Sequence, residues 1–363
     1  MGTITRSLAN NLSNSMGKSA VSGRNLVING DMNIAQRTQS AVTVNSGSLQ
    51  YPVDRFAGRG TTSAGVFTVE QDSESPDNFQ NSVKATVTTS STPGSSDTYR
   101  FVHHIEGTYF RHTGFGTSAA KNLTLSFYVR SSLTGTFGGA FIGGYDRFWN
   151  FSYTINSANT WERKTVTITG DTVASGWTTG TGLSARISWS LGAGSGEVGS
   201  ANSWGTATYE GVTGQTNLIE TNAATWYITG VQLEIGDNAT EFDHQPTSIQ
   251  KLNCERYYQQ LSRTTTGGNT VLTGTNSAVN NLGVVHLPVE MRAAPTISQT
   301  GTNITLYSPD GASNASASNP TLSAGSFGTK GGRFLWSRTG NIYAGFWVDL
   351  DNDDSYYNFT AEI

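Results

Sequence analysis

Apolar and polar residues alternate along short segments of the chain between Asn25 and about Phe242. Residues 122–130 carry one apolar set and one polar set: Leu123, Leu125, Phe127 and Val129 against Thr124, Ser126, Tyr128 and Arg130. A period of two places the sets on opposite faces of a β-strand. Residues 186–191 repeat the alternation, with Trp189 on the apolar face. We therefore predict strands with one face in the core, including Trp189, and the other face toward solvent or a ligand.

Seven segments in this region have the composition and spacing of antiparallel strands, and Gly-rich turns separate them. They are Val66–Glu70, Ser82–Thr88, Tyr99–Glu106, Asn122–Arg130, Arg163–Ile168, Arg186–Leu191 and Thr225–Ile235. This number of strands predicts a jelly-roll β-sandwich over residues 25–245. A long segment rich in Gly, Ser and Asn, residues 192–224, interrupts the pattern, and loops of that length tend to be functional or disordered.

The pattern changes again after Pro246, where apolar residues take a helical spacing. Ser248 suits an N-cap position, and the residues of one helical side follow it: Ile249, Leu252, Arg256, Tyr257 and Leu261. We predict a linker helix over residues 246–262 and a second, smaller β-sandwich over residues 263–363. Its strands are predicted at Asn281–Pro288, Thr296–Gln299, Ile304–Tyr307, Arg333–Ser337, Ile342–Asp349 and Tyr356–Ile363, the last two meeting at a turn over residues 351–355.

Residues 1–24 are polar and carry four apolar residues at a spacing of four: Ile4, Leu8, Leu12 and Met16. The spacing allows one apolar stripe on a short helix, which is marginal in isolation. Two interpretations stay open, a floppy terminus and a docking peptide that orders on a partner. We treat residues 1–24 as an attachment segment.

Composition supports the β interpretation. The chain has 363 residues, which favours two domains, and 42 Gly with 13% charged residues suit strands and turns better than helices. Aromatic residues at 10% supply enough apolar surface for a core, which argues against disorder. The net charge of −4 argues against a nucleic-acid partner.

Cysteine content and apolar runs bear on the compartment. Cys254 is the single cysteine, so an internal disulfide is excluded and assembly in a reducing cytoplasm is expected. The first twenty residues lack the apolar run of a signal peptide, and the sequence holds no run of about 18 apolar residues that would cross a bilayer. We therefore expect no membrane insertion.

Five motifs carry a resemblance to known proteins. Residues 25–37, NLVINGDMNIAQR, resemble the first strand of jelly-roll carbohydrate-binding modules and, more closely, that of bacteriophage tail proteins. Residues 226–236, WYITGVQLEIG, look like their closing strand. Residues 239–242 and 252–258 are similar to the domain junction of the same phage proteins, and residues 287–296 to their distal domain. The resemblance spans nearly everything after residue 24.

The resemblance implies a non-enzymatic structural protein of a phage virion, a tail-fibre or tail-tip subunit that recognises host-surface polysaccharide during adsorption. It also implies a homotrimer, which would bury the edges of low-charge, Gly-rich strands. Residues 1–24 would then bind other tail or capsid proteins. The alternatives are a purely structural head fibre or tail adaptor and, less favoured, a polysaccharide depolymerase.

Metal and catalytic sites are not predicted. Carbohydrate-binding modules of this shape often hold calcium between their first and last strands, but Thr229 and Gly230 occupy the place where the closing strand usually carries Asp, although Asp31 could offer an oxygen. The run from Asp349 to Asp354 lacks the Gly and Glu of an EF-hand. A depolymerase needs two carboxylates about 5 to 10 Å apart, and adjacent strands could in principle supply Glu70 and Glu106 as such a pair. We predict no cofactor and no catalytic residue.

Aromatic residues are the strongest candidates for a ligand site, because sugar C–H faces stack on flat rings. Four of them have loop-like surroundings: Tyr145, Trp149, Trp177 and Trp204. We predict that their loops converge on a carbohydrate-binding groove lined by Tyr128 and Arg130. The alternative for each ring is to fold over the sandwich edge, since Trp is usually buried.

Overall fold

The structure is a computed structural model that describes residues 24–37, 40–45, 47–62, 64–144, 146–262, 270–276, 280–300, 303–307, 314–318, 327–337, 346–350 and 356–363. Its contacts divide the chain into two compact units, one ending at Gln250 and including Ile363, the other running from Lys251 to Glu362. None of the described helices is long and apolar enough to cross a membrane.

Two sheets, here named the front sheet and the back sheet, form the first unit. In spatial order, the front sheet has the strands β1 (Val42–Val44), β4 (Val66–Asp72), β5 (Ser82–Thr89), β15 (Thr225–Ile235), β7 (Leu123–Ser131) and β10 (Glu162–Ile168). The back sheet has β13 (Trp204–Gly205), β9 (Arg147–Ile155), β8 (Gly135–Gly143), β11 (Leu183–Ala193), β6 (Thr98–Glu106), β3 (Phe56–Gly60) and β2 (Gln50–Val53). All neighbours in both sheets are antiparallel.

Shorter elements complete this unit. They are the parallel pair β12 (Val198–Gly199) and β14 (Gly211–Val212), the four-residue helix α1 (Gly107–Phe110), and 3₁₀ turns at Arg111–Thr113 and Leu218–Glu220. The helix α2 (Thr247–Glu255) follows β15. The predicted all-β jelly-roll sandwich is confirmed, with one core cluster drawing side chains from both sheets.

The alternation along β7 and β11 sets the two sides of that core. Leu123, Leu125 and Phe127 on β7 are fully buried, and so is Trp189 on β11. Each inward side chain removes apolar surface from water, at about 25 cal/mol per Å² buried. The placement of Trp189 in the core is therefore confirmed.

Two strands of the back sheet, β8 and β9, are absent from the predicted strands, and Trp149, expected in a loop, lies in β9. β8 contains the consecutive residues Gly138 and Gly139. A Cβ added at Gly139 would lie 2.4 Å from Phe151 Cζ, so the glycine makes room for a core ring from the neighbouring strand. Glycine in a strand often marks such a close approach.

The helix prediction over residues 246–262 is wrong in its second half. Helix α2 ends at Glu255, and Tyr258–Ser262 forms the strand β16, which pairs with β25 (Tyr356–Thr360). Tyr257 and Tyr258, which follow the helix, are buried, and Tyr258 begins the strand β16. The predicted apolar side is also corrected. Ile249 and Leu252 are about half exposed, at 46% and 50%, whereas the intervening Gln250 is buried.

The second unit contains two further sheets. One is three-stranded, in the order β16, β25 and β19 (Thr296–Thr300). The other has seven strands, in the order β21 (Asn314–Ser318), β20 (Asn303–Tyr307), β24 (Phe346–Leu350), β17 (Thr270–Asn276), β18 (Asn280–His286), β23 (Gly331–Ser337) and β22 (Phe327–Gly328). Strands β24 and β25 therefore lie in different sheets, and the expectation that they meet as a hairpin is wrong. Its turn, residues 351–355, lies outside the described residues.

Candidate functional site

The outer face of the front sheet presents a row of side chains across four strands. Glu70 on β4 pairs in register with Lys84 on β5, Lys84 with Tyr227 on β15, and Tyr227 with Arg130 on β7. Directly opposed residues in an antiparallel sheet point to the same face, so this row is continuous. Trp161 packs its ring against Tyr227 at a centroid distance of 6.0 Å. We call these five residues the front row.

The charges of the front row are paired. Lys84 Nζ lies 3.1 Å from Glu70 Oε1 and 3.5 Å from Asp72 Oδ2. Partial burial acts to lower the pKa of Lys84, but the hydrogen bond to Glu70 and nearby negative charges outweigh it, so the pKa is raised. The guanidinium of Arg130 lies 4.9 Å from the centre of the Tyr227 ring and donates to the Asn159 carbonyl. The row thus holds its rings and charges in fixed positions.

A cavity of about 410 Å³ lies beside Tyr128, two residues before Arg130 on β7. Phe79 is at its centre, with ring centroids 5.4 Å from Tyr128, 5.1 Å from Phe242 and 5.2 Å from His244. We call it the Phe79 cavity. Its lining consists of Asp77, Asn78, Phe79, Tyr128, Glu241, Phe242 and His244. An aromatic floor with a polar rim is the usual composition of a small-ligand site.

A glycine in β15 makes this cavity possible. The register between β15 and β7 shifts between Thr229 and Gln232, and Gly230 within the shift has φ +60°. A Cβ at Gly230 would lie 2.7 Å from Phe79 Cζ and 2.8 Å from Tyr128 Cδ2. Both the left-handed backbone and the ring contacts therefore require glycine here.

Asp31 and Thr229, from the strands that hold calcium in carbohydrate-binding modules, are hydrogen-bonded to other residues. Thr229 donates its hydroxyl to the Asn81 carbonyl, and Asp31 Oδ2 accepts hydrogen bonds from the side-chain amides of Asn33 and Gln250. Burial raises the pKa of Asp31, despite these hydrogen bonds. Across the described residues, no group of three or more His, Cys, Asp or Glu side chains is arranged to hold a metal. The turn after Asp349 lies outside them.

The outer face of the back sheet differs from the front one, and here the prediction of a free second face for residues 186–191 is wrong. Arg186 and Ser188 on β11 point outward yet are buried, and residues 195–217 contact this face, where Glu210 pairs with Arg186 and Gln215 donates to the Ser190 hydroxyl. The Glu210 carboxylate reaches in from this cover and accepts hydrogen bonds from Arg100 and Arg186, both at 2.6 Å. Burial lowers the pKa of Arg100 to about 10, with Glu210 partly opposing the shift. This face is closed to a ligand.

The predicted aromatic residues occupy three different settings. Tyr145 lies outside the described residues. Trp149 is in β9 and 6% exposed, within the core. Trp177 and Trp204 are half-buried against that core, with centroids 5.7 Å apart and Trp204 5.4 Å from Trp149. The structure thus gathers three of the four rings into one cluster.

Polar contacts lock this cluster in place. Asp171 accepts two hydrogen bonds from Arg147, at 2.6 and 2.8 Å, and a third from Trp177 Nε1 at 3.1 Å. Trp204 Nε1 donates to the Thr169 carbonyl at 2.8 Å. Rings held by their own indole N–H groups suit the alternative in which they cover the sandwich edge.

Tyr128 and Arg130 do not join that cluster. Both project from the outer face of the front sheet, whereas Trp149 points into the core from the back sheet. The expectation of one groove lined by all of them is therefore wrong for the described residues. No sequence pattern links Phe79, Phe242 and His244, although Phe242 ends the motif at residues 239–242 and Gly230 lies in the strand that makes room for Phe79.

The carboxylate pair considered for a depolymerase is separated by the fold. Glu70 lies on β4 of the front sheet, paired with Lys84, while Glu106 lies buried at the end of β6 in the back sheet and accepts a hydrogen bond from Thr108. The two strands belong to different sheets, so the expected neighbouring-strand geometry does not form.

No protein-family model matches the chain, and no curated protein matches it in sequence. Among solved structures, the enzymatically active domain of tailspike protein 4 from bacteriophage CBA120 is 12% identical with a TM-score of 0.28; the match covers 59% of this chain and 22% of the tailspike chain. The family 11 carbohydrate-binding module of a Clostridium thermocellum cellulosomal cellulase is 10% identical with a TM-score of 0.28, covering 56% of this chain and 98% of the module.

A CBM4 carbohydrate-binding module is 16% identical with a TM-score of 0.29, covering 58% of this chain and 99% of the module. These neighbours are thus carbohydrate-binding modules and a phage tailspike domain. The function of this chain is therefore inferred from its own residues.

Proposed function

We propose that this protein is a non-enzymatic structural subunit of a phage virion, part of a tail fibre or tail tip, that binds a host-surface glycan through the outer face of its front sheet. The observation that carries the proposal is the pairing of the front row with the Phe79 cavity on one partly exposed surface. The back sheet, in contrast, is covered over Arg186 and Ser188 by residues 195–217.

The chemistry of this surface matches that of a sugar. The C–H faces of a pyranose ring pack on flat aromatic rings, here the half-buried rings of Phe79 and Tyr128. Hydroxyl groups need planar polar partners, which Arg130, Asp77 and Asn78 supply. Because Tyr128 on β7 neighbours both the row and the cavity, a chain of several sugars can contact the two together.

The virion part of the proposal is supported by the sequence motifs at residues 25–37 and 226–236. It includes a homotrimer, and attachment to other tail or capsid proteins through residues 1–24. Light scattering on the purified protein should give three times the monomer mass. Deleting residues 1–24 should leave the sandwiches folded but remove the protein from particles, and normal incorporation of the truncated protein would place attachment elsewhere.

A panel of host polysaccharides tests the glycan site directly. Tyr128→Ala should weaken binding by about 1 to 3 kcal/mol, the scale for losing an aromatic contact at an interface. Tyr128→Phe keeps the ring and should bind nearly as the wild type does. Tyr209→Ala removes a ring from the cover of the back sheet and is the matched control.

The outcomes separate the candidate surfaces. Loss of binding in Tyr128→Ala with retention in Tyr128→Phe and Tyr209→Ala supports the front surface. Wild-type binding by Tyr128→Ala, with loss in Trp204→Ala, would move the site to the tryptophan cluster. No glycan binding, together with tight binding to a portal, tail or capsid protein, would favour a purely structural fibre or adaptor. Release of reducing ends from the polysaccharide would instead show an enzyme.

A further inference from the structure

The carboxylates on the rim of the Phe79 cavity differ from those of the front row. Asp77 and Glu241 line the cavity, and neither side chain has a hydrogen-bond or ion-pair partner within the part of the chain that the structure describes. Glu70 and Asp72, by comparison, are both paired with Lys84. His244 is the only basic side chain in the lining, against the two carboxylates. The cavity therefore presents negative charge to a ligand.

The floor of the cavity favours a cation as well. Phe79, Tyr128 and Phe242 present π-systems, and the centroids of the other two rings lie 5.1 to 5.4 Å from that of Phe79. A cation within about 6 Å of a ring centroid is attracted to the negative face of the ring. The aromatic rings and the unpaired carboxylates thus both attract a cationic ligand, and both repel an anionic one.

We propose that the Phe79 cavity binds the protonated amine of an amino sugar, so that the front surface selects cationic over neutral and neutral over acidic glycans. The inference rests on the proposed glycan-binding function and names the class of ligand for the same surface. The carboxylates of Asp77 and Glu241 accept the N–H hydrogen bonds of the ammonium group, and the rings of Phe79 and Tyr128 contact the C–H groups around it. The side-chain amide of Asn78 then binds hydroxyl groups of the sugar.

Calorimetry with three oligosaccharides of equal length tests the inference: a glucosamine oligomer, an N-acetylglucosamine oligomer and a galacturonate oligomer. The titrations are run at about pH 5.5, where the weakly basic amines of a glucosamine oligomer are largely protonated and ordinary Asp and Glu carboxyl groups are ionised. The wild type should bind the glucosamine oligomer about tenfold more tightly than the acetylated one, and the galacturonate oligomer weakest. Added salt should reduce the differences in affinity among the three oligomers, because it screens the attraction between the ligand charge and the carboxylates.

Two double variants with equal changes in net charge sharpen the test. Asp77→Asn with Glu241→Gln should bring the affinity for the glucosamine oligomer to within about threefold of that for the acetylated oligomer. Glu220→Gln with Asp237→Asn removes two exposed carboxylates outside the cavity and should retain the preference. The control shows whether the effect comes from the cavity or from the charge of the whole protein.

The two proposals fail in different ways. Equal binding of the glucosamine and acetylated oligomers, or a preference for galacturonate, overturns the amine inference and leaves glycan binding standing. A preference that survives in the Asp77→Asn, Glu241→Gln variant also overturns it. If none of these oligomers and no polysaccharide of the host panel binds, the proposed function itself is wrong.

Discussion

The two outer faces of the sandwich both carry polar side chains, but one face is covered by another segment of the chain and the other is open. On the back sheet, residues 195–217 fold over the surface and place the Glu210 carboxylate between Arg100 and Arg186, all of them nearly buried. On the front sheet, Lys84 and Arg130 stay partly exposed beside Tyr227 and lead to the open Phe79 cavity. A strand pattern with one polar face is compatible with both outcomes. The segment that comes after the strand decides between them, by covering the polar face or leaving it open.

The difference matters for energetics. A buried ion pair is held in a low-dielectric setting, where removing one partner leaves an uncompensated charge. A partly exposed pair such as Lys84 with Glu70 is screened by water and contributes little to stability. Substitutions should therefore damage stability on the back face and ligand binding on the front face.

The largest effect is expected in the core that both faces share. Trp189→Ala should lower the free energy of unfolding by about 3 to 5 kcal/mol, because it removes a fully buried ring and leaves a cavity. Trp149→Ala should behave in the same way, because Trp149 also lies in the core. Urea denaturation measures both. A change below about 1 kcal/mol in Trp149→Ala would return this residue to the candidate ligand site.

The next effect separates the two faces. Glu210→Gln should destabilise the protein by about 2 to 3 kcal/mol, since it removes the charge that Arg100 and Arg186 share. Glu70→Gln on the front face should change stability by less than about 1 kcal/mol. Both are read from urea denaturation at neutral pH. Equal effects in the two variants would contradict the contrast between a closed and an open face.

A glycine pair tests how the Phe79 cavity is built. Gly230→Ala should destabilise by about 1 to 3 kcal/mol and weaken glycan binding, because the new methyl group would meet the rings of Phe79 and Tyr128 in a left-handed backbone. Gly214→Ala is the matched control, with φ +79° and no heavy atom within 4 Å of the added Cβ. Similar losses of stability in both variants, with binding intact, would show that the ring contacts are unimportant.

The smallest effect concerns a surface carboxylate of the front sheet and its dependence on pH. Partial burial acts to raise the pKa of Glu162, but hydrogen bonds from Lys164, Ser157 and Asn156 outweigh it and hold the pKa at about 2. A carboxyl group with a depressed pKa stabilises the fold above its unfolded value of 4.5, and this contribution is lost as the pH falls toward 2. Glu162→Gln should therefore be less stable than the wild type at neutral pH, and the difference should close below pH 4.5. If the difference between the urea midpoints of the wild type and Glu162→Gln is the same at every pH, the lowered pKa of Glu162 is wrong.

Much of the fold was predictable because period-two alternation reports burial directly. β7, β11 and β15 were found for this reason, β15 with its full bounds at Thr225–Ile235. β8 is not predicted because it is rich in glycine, and at least one of these residues has a packing role, since Gly139 makes room for the Phe151 ring of β9. That purpose is visible only when the neighbouring strand is in place.

The site was harder to predict than the sheets. Tyr128 and Arg130 belong to the outward face of one strand, and the structure puts them on the proposed glycan surface. Phe79, Phe242 and His244 come from segments far apart in sequence, with no shared pattern. Their convergence depends on the backbone shift at Gly230, which the sequence displays as an ordinary glycine in a strand.

Hydrogen–deuterium exchange with and without a bound glycan tests the central claim, that the front surface is the ligand site, most directly. The glycan is the one from the host panel that the wild type binds most tightly. Binding should slow exchange at residues 77–79 and 241–244, which line the Phe79 cavity, and leave residues 171–177 and 195–217 unchanged. Protection confined to residues 171–177 and 195–217, or to residues after 262, would contradict the claim.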